Sequence, residues 1–456
     1  MRSAEGENDL ALRLGPIGAT ACSGWGDTVD DGTTSWDAVV VVSADSHVAP
    51  LLDRHLREYC PAGLLDEFDR YAADSPPSFL DTHGGSDADN PYLWNLRSEG
   101  QYDVSTRLAD MDRDGVACAT IFHGTANGQP LPFADRRAGL RLTVPNPDAR
   151  ELRAEGLRIY NRWLADFCSV EPVRHVGLCY VPMWDFEASI AEVEWAHEHG
   201  LRGVNFPAPT SEYPPYTDPA WDPFFAVCAE RNMVLNTHIG GGESQLYAAY
   251  TGPAWGGAFM MENPWLGRRA MWLMTFAGVF DRHPDLKLAF VELPGAWWSL
   301  TVQDMDSAYY SPRSGGLEGA IERPPSEYVA TNMFMGASFQ SRAEAELAVL
   351  DGCDDRFMWG SDYPHDEGTW MYTENLDDVP VTRLSLANTF HDLPEASVRK
   401  MVGGNAIRCY GLDHDALREV AGRVGPTLSE LLTEPNLSLV PAGYRGAGFR
   451  THGSFS

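Results

Sequence analysis

The feature that most constrains this chain is a rhythm of eight short, nearly continuous apolar runs. They fall at Ala38–Ser43, Ala117–His123, His175–Val181, Gly203–Phe206, Met233–His238, Leu286–Glu292, Asn332–Ala337 and Arg356–Ser361. A strand buried on both faces has no reason to alternate polar with apolar, so such runs read as strands of a parallel sheet. Helical patterns lie among them, at Arg153–Cys168, Phe186–His199, Trp221–Arg231, Pro264–Phe280 and Ala343–Leu350. Strand and helix in alternation imply right-handed crossovers. Eight strands in one series predict an α/β fold of the closed (β/α)8 TIM barrel type, in preference to an open doubly wound sheet.

Three regions fall outside the rhythm. Residues 1–38 are rich in Gly, Ser, Thr and Asp and are expected to be poorly ordered. The stretch Ala49–Val116 is too long for a simple crossover. It predicts a long β1–α1 insertion, an elaborate loop over the barrel mouth. Beyond the eighth strand, Pro394–Val402 and Asp413–Thr433 read as helices, and the Gly-rich tail from Pro441 as extended. The expected organisation is a barrel domain over 39–412, with a C-terminal helix and tail over 413–456 packed on its outside.

Charge narrows the function classes. Against 34 basic residues stand 65 acidic ones, a net charge of −31. That argues against nucleic acid and anionic membranes, both of which need a basic footprint. No apolar run reaches the ~18 residues of a membrane span, and Met1–Asp9 has neither the basic nor the apolar region of a secretory signal. Eight cysteines are scattered without a CxxC pair, and several sit in apolar runs as small hydrophobes. A reduced, cytoplasmic setting is expected.

The chemistry gathers where the apolar runs end. The first ends in Asp45-Ser46-His47, the fifth in Asn236-Thr237-His238, the sixth in Glu292, and the eighth in Ser361-Asp362-Tyr363-Pro364-His365. In a parallel barrel all strand C-termini open on one face, where catalysis takes place. Asp45 and His47 are two apart on an extended chain and point to the same side. Taken singly, each residue has a plainer reading: a D-x-H is common, and an Asp in Gly-Ser-Asp often caps a helix. Together, Asp45, His47, His238 and Asp362 form a candidate site for one divalent ion. Two imidazoles and two carboxylates suit Zn²⁺ foremost, with Mn²⁺ or Fe²⁺ next.

The blocks Ser43–Val48, Asn236–Gly240 and Trp359–His365, with the phrase Arg107–Phe122, resemble the amidohydrolase superfamily. The likeness is to the amidohydrolase-2 branch, which includes aminocarboxymuconate-semialdehyde decarboxylase and related aromatic acid decarboxylases, and it spans Val39 to Tyr410. The resemblance implies a metal-dependent enzyme acting on a small molecule, and the branch's dimers suggest a homodimer. Binuclear members carry a carboxylated lysine at the fourth strand. Neither Lys287 nor Lys400 lies there, so one ion is expected. Two positions depart from the branch. Asp45 stands where His or Glu is usual, and Glu292 stands where the sixth strand ordinarily ends in an acid/base His. A buried Glu could still shuttle a proton.

Further candidates surround these. Asp362, Glu292 and His365 are candidate catalytic groups, and His123, Trp297 and Tyr363 candidate pocket residues. Trp298 is a weaker aromatic candidate of the same kind. Arg97 matches a loop arginine with which the decarboxylases hold a substrate carboxylate. The preferred expectation is hydrolysis of an amide, lactone or related bond of a small carboxylated or aromatic substrate by a metal-activated water. The first alternative is non-oxidative decarboxylation of an aromatic or unsaturated acid. The absent sixth-strand His tips the reading toward hydrolysis. A second alternative is a non-catalytic metal-binding barrel.

Overall fold

The computed structural model describes residues 38–75, 94–124, 130–134, 149–240, 253–293, 295–317 and 320–451. Nearly all of the expected disordered N-terminal stretch lies outside these.

The strands are β1 (Val42–Ser43), β2 (His47–Val48), β3 (Cys118–His123), β4 (His175–Cys179), β5 (Gly203–Asn205), β6 (Val234–His238), β7 (Leu288–Val291), β8 (Met333–Ser338) and β9 (Phe357–Gly360). β1 and β2 both pair with β3 and form two halves of one barrel stave, and every pairing is parallel. The seam between first and last staves is hydrogen-bonded: Ala44 N donates to Trp359 O (2.8 Å), Asp362 N to Asp45 O (3.0 Å) and His47 N to Tyr363 O (2.6 Å). This is the closed (β/α)8 barrel that the apolar rhythm requires.

One end of the barrel is plugged. Val42, Val176, Val234, Phe334 and Met358 share an apolar cluster with Tyr410, whose hydroxyl donates to Asn236 Oδ1 (2.6 Å). Burying large apolar side chains there stabilises the closed form at about 25 cal/mol per Å² removed from water. The opposite end, at the strand C-termini, carries the polar residues.

Several elements differ from expectation. The crossover helix between β6 and β7 runs Pro253–Phe276, with Pro264 inside it rather than at its start, and a short helix Val279–Arg282 follows. A proline is tolerated at a helix's first position, and Pro253, not Pro264, occupies that position. Asp413–Thr433 is two helices, His414–Val424 and Leu428–Leu432. The break at Gly425-Pro426 frees Pro426 O to accept Val39 N (2.8 Å), and Thr427 bridges Ala38. The Pro394–Val402 stretch begins as helix Glu395–Arg399, widens at Lys400–Gly404 and resumes at Asn405–Tyr410. The long insertion after β2 is partly helical, with Leu65–Asp74 and Val104–Asp114. The tail is not extended. It turns back on the barrel, and Arg450 is buried.

Candidate metal and catalytic site

Between β1 and β2 the stave is interrupted by Ala44-Asp45-Ser46. Ser43 Oγ donates to Asp45 O (2.6 Å), and Ser46 Oγ donates to Thr120 O (2.5 Å). The interruption holds the Asp45 carboxyl and the His47 ring over the same end of the barrel. On the last three staves the chain leaves the strand through a left-handed residue: Glu292 after β7 (φ 52°), Phe339 after β8 (φ 39°) and Asp362 after β9 (φ 57°). Such backbone costs a non-glycine residue about 1 kcal/mol or more and persists where neighbours over-determine it. Here it turns two carboxylates inward.

The donor atoms meet at coordination spacing. His47 Nε2 lies 3.3 Å from Asp45 Oδ1 and 3.0 Å from Asp362 Oδ1, and His238 Nε2 lies 3.5 Å from Asp45 Oδ1. Ligands bound at about 2.1 Å in tetrahedral or octahedral geometry sit roughly 3.0–3.4 Å from one another. Asp45, His47 and Asp362 are buried. Among the described residues Asp45 Oδ1, both His47 ring nitrogens, His238 Nε2 and Asp362 Oδ2 make no protein hydrogen bond. Buried polar atoms of that kind need a partner, and a divalent cation would satisfy those that face the cluster, His47 through Nε2 alone. The tautomer of His238 fits as well. Its Nδ1–H donates to Ile239 O (2.7 Å), which leaves Nε2 with its lone pair toward the cluster. The residues present therefore fit a divalent ion.

Glu292 belongs to the same cluster. Its Oε2 is 3.4 Å from His238 Nε2, and it groups with Asp45 and Asp362 within 4.8 Å. His365 Nδ1 lies 2.9 Å from Asp362 Oδ1, and its ring stacks on His47 with centroids 4.0 Å apart.

Electrostatics separates the carboxyls. Burial would raise the Asp45 carboxyl, but the imidazoles of His238 and His47 outweigh it and hold the group well below the usual carboxylate range. Burial, then the charges of Asp362, Glu367 and Asp45, push Glu292 well above that range. Burial lowers His365, yet the Asp362 carboxylate prevails and lifts it to about 9.

The other sequence-derived candidates spread out. His123 is buried beside Tyr160, ring centroids 5.2 Å apart, and burial lowers it to about 3. The β3 ring facing the imidazoles is Phe122, 5.9 Å from His47 and 4.7 Å from His238. Arg97 is exposed, its guanidinium 4.0 Å from the Trp94 ring centroid, outside the buried cluster. Trp298 is core, while Trp297 donates from Nε1 to Leu293 O (3.3 Å). Tyr363 is buried and donates its hydroxyl to Asp110 Oδ2 (2.7 Å).

Two supporting residues escaped sequence reasoning. Ser338, at the end of β8, donates from Oγ to Asp45 Oδ2 (2.5 Å). Arg107, only 1% exposed, donates from Nη1 to His47 O (3.0 Å) and from Nη2 to Ser46 Oγ (2.5 Å). Arg107 opens the very phrase that carried the resemblance, which was the available signal.

A closed parallel barrel with this donor set at its strand ends has the form of a metal-dependent hydrolase or decarboxylase. Residues 126–412, well over half of the chain, match the Amidohydrolase family, and the chain belongs to that family. It is 24% identical over 314 residues to 2-amino-3-carboxymuconate-6-semialdehyde decarboxylase of Dictyostelium discoideum, covering 68% of this chain and 77% of that one. Among solved structures it shares the fold of an amidohydrolase from Mycobacterium avium subsp. paratuberculosis (TM-score 0.59, 18% identity, 82% of this chain and 99% of that). It also shares that of 5-carboxyvanillate decarboxylase from Novosphingobium aromaticivorans, solved with bound manganese and 3-methoxy-4-hydroxy-5-nitrobenzoic acid (TM-score 0.56, 20% identity, 83% and 99%). Among the described residues no helix is long and apolar enough to cross a membrane.

Proposed function

We infer that the protein is a metal-dependent, non-oxidative decarboxylase of a small aromatic or unsaturated carboxylic acid. The carrying observation is the placement of Glu292, 3.4 Å from His238 Nε2 and inside the group formed with Asp45 and Asp362. The sequence reading leaned toward hydrolysis because the sixth-strand histidine is missing. Glu292 stands in its place as a buried acid, so the reason for that preference falls away. The decarboxylase relatives support the same choice.

Asp45, His47, His238 and Asp362 would hold the ion. When bound, it would supply the positive charge that anchors a substrate carboxylate and a neighbouring oxygen. Glu292 then delivers its proton to the substrate carbon. The bond from that carbon to the carboxylate breaks, its electron pair takes up the proton, and CO₂ leaves. Glu292 recovers a proton from solvent. Phe122 and the stacked His47–His365 pair wall the site with flat rings, which suits a planar substrate.

The test is turnover of the manganese- or zinc-loaded protein on a panel of aromatic and unsaturated carboxylic acids, read as CO₂ release and, in D₂O, as deuterium at the carbon that lost it. Glu292→Gln is expected to lower the rate at least a hundredfold. Cleavage of amides or lactones without CO₂ would replace this reading with metal-assisted hydrolysis, for which Asp362 Oδ2 offers an acceptor for a water proton. Bound metal with no turnover on either panel would refute both.

A further inference from the structure

We propose that the C-terminal tail, residues 441–451, is a strap that positions the site, with Arg450 and Glu344 as its positioning residues. The tail lies beyond the residues that match the family. It nevertheless returns to the loops that follow three successive strands.

The contacts run in order around the rim. Tyr444 donates its hydroxyl to Gly368 O (2.6 Å), and Ala447 N donates to Glu367 O (2.7 Å), both in the loop after Asp362. Arg450 Nε donates to Phe339 O (3.2 Å), the left-handed residue just past Ser338. Its Nη2 donates to Glu344 Oε2. Glu344 carries the tie onward: Oε2 accepts Ser341 N (3.1 Å), and Oε1 accepts Gly295 N (3.2 Å), three residues after Glu292. Both partners of the ion pair are buried, Arg450 to 5% exposure and Glu344 to 6%.

Geometry gives the strap its role. The loops it ties are those whose left-handed residues aim Glu292 and Asp362 and follow the serine that holds Asp45. Such backbone is held only by its surroundings, and a buried guanidinium that divides its donors between a carboxylate and a backbone carbonyl fixes direction as well as distance. The pair ties the loops after β7 and β8, and Tyr444 and Ala447 of the same tail hold the loop after β9.

This inference rests on the metal-site reading only where affinity is measured. Full-length Arg450→Met and the double variant Arg450→Met/Glu344→Gln are compared with wild type. The measurements are unfolding temperature, Mn²⁺ affinity by calorimetry, and amide exchange in segments 288–296, 336–345 and 360–370. The single variant leaves a buried, unpaired carboxylate and is expected to unfold first. The double variant removes that charge and regains most of the unfolding temperature. A positioning strap predicts that it still binds Mn²⁺ roughly ten- to a hundredfold more weakly than wild type. Wild-type affinity in the double variant would overturn the proposal and leave Arg450 a stability residue alone. If the wild type itself binds no Mn²⁺, the metal reading has failed, and exchange decides: faster exchange in the three segments supports the strap, and unchanged exchange refutes it. Should the double variant not fold, Arg450→Lys, which keeps the charge and loses the fork, takes its place under the same criteria.

Discussion

Arg107→Met should damage both the fold and the site. The guanidinium is buried and donates to His47 O and Ser46 Oγ, while its carbon lies 5.0 Å from the Tyr363 ring centroid. Two bonds from a charged donor are worth about 1.5–3 kcal/mol each, and the His47 carbonyl left without a partner costs a further 1–3 kcal/mol or so. Against this, methionine no longer has to bury a charge. The guanidinium's pKa falls below its ordinary value, with burial as the largest cause. The balance is a loss of roughly 3 kcal/mol. For a domain of this size that is a fall of about 3–4 °C in Tm. Because the lost bond ends on the backbone of a metal-ligand candidate, Mn²⁺ or Zn²⁺ affinity should drop about ten- to a hundredfold. Calorimetric unfolding and metal titration measure the two effects. A Tm within about 2 °C of wild type together with unchanged affinity would refute the reasoning, and Arg107 would then be a dispensable buried cation.

Three further outcomes are expected. Ser338→Ala should leave the fold intact, at a cost of about 1 kcal/mol. It should weaken metal binding about tenfold by releasing Asp45 Oδ2, read by calorimetry. Chelation should lower Tm, and free ion at a hundred times its Kd should restore roughly 2.7 kcal/mol; a Tm indifferent to both would argue against a metal centre. Asp114, buried and accepting Thr382 Oγ1 (2.5 Å), is raised by burial to about 7. The folded protein therefore keeps this proton to about pH 7, while the unfolded chain releases it near 4. Stability accordingly falls across that window by up to about 4 kcal/mol and is flat above it. Asp114→Asn should gain over wild type progressively between those pH values in denaturant titrations, and a constant difference would contradict the assignment.

The barrel was legible because buried parallel strands write themselves as unbroken apolar runs. The runs ending in His123, His238 and Glu292 mark their strands within a residue or two. The metal-ligand candidates were legible because strand ends share one face. What stayed hidden depends on contacts between distant residues. Arg107 sits on a helix of mixed polarity, and only the fold shows that it faces inward against His47. Glu344 closes the capping box of its helix with Ser341. Its tie to Arg450 joins positions 106 apart with no local signature. The break at Gly425-Pro426 was overlooked because the helical period resumes beyond it, although the proline was in plain view. His123 was placed at the substrate by its strand-end position, and in the fold it lies beside Tyr160. Side chains alternate along a strand, and Phe122 already takes the face toward His47.

The seam of the barrel joins residues 318 positions apart, Ser43 to Ser361. Asp45 and His47 are among the earliest described residues to be synthesised, and Asp362 emerges only after every other stave. A nascent chain would therefore hold three of the four proposed ligands, Asp45, His47 and His238, before Asp362 arrives to complete the set. An ion held by Asp45, His47 and Asp362 would fasten the two ends of the sheet to each other. On the proposed ligand set, docking of the last strand against the first would complete the metal site and seal the cylinder together.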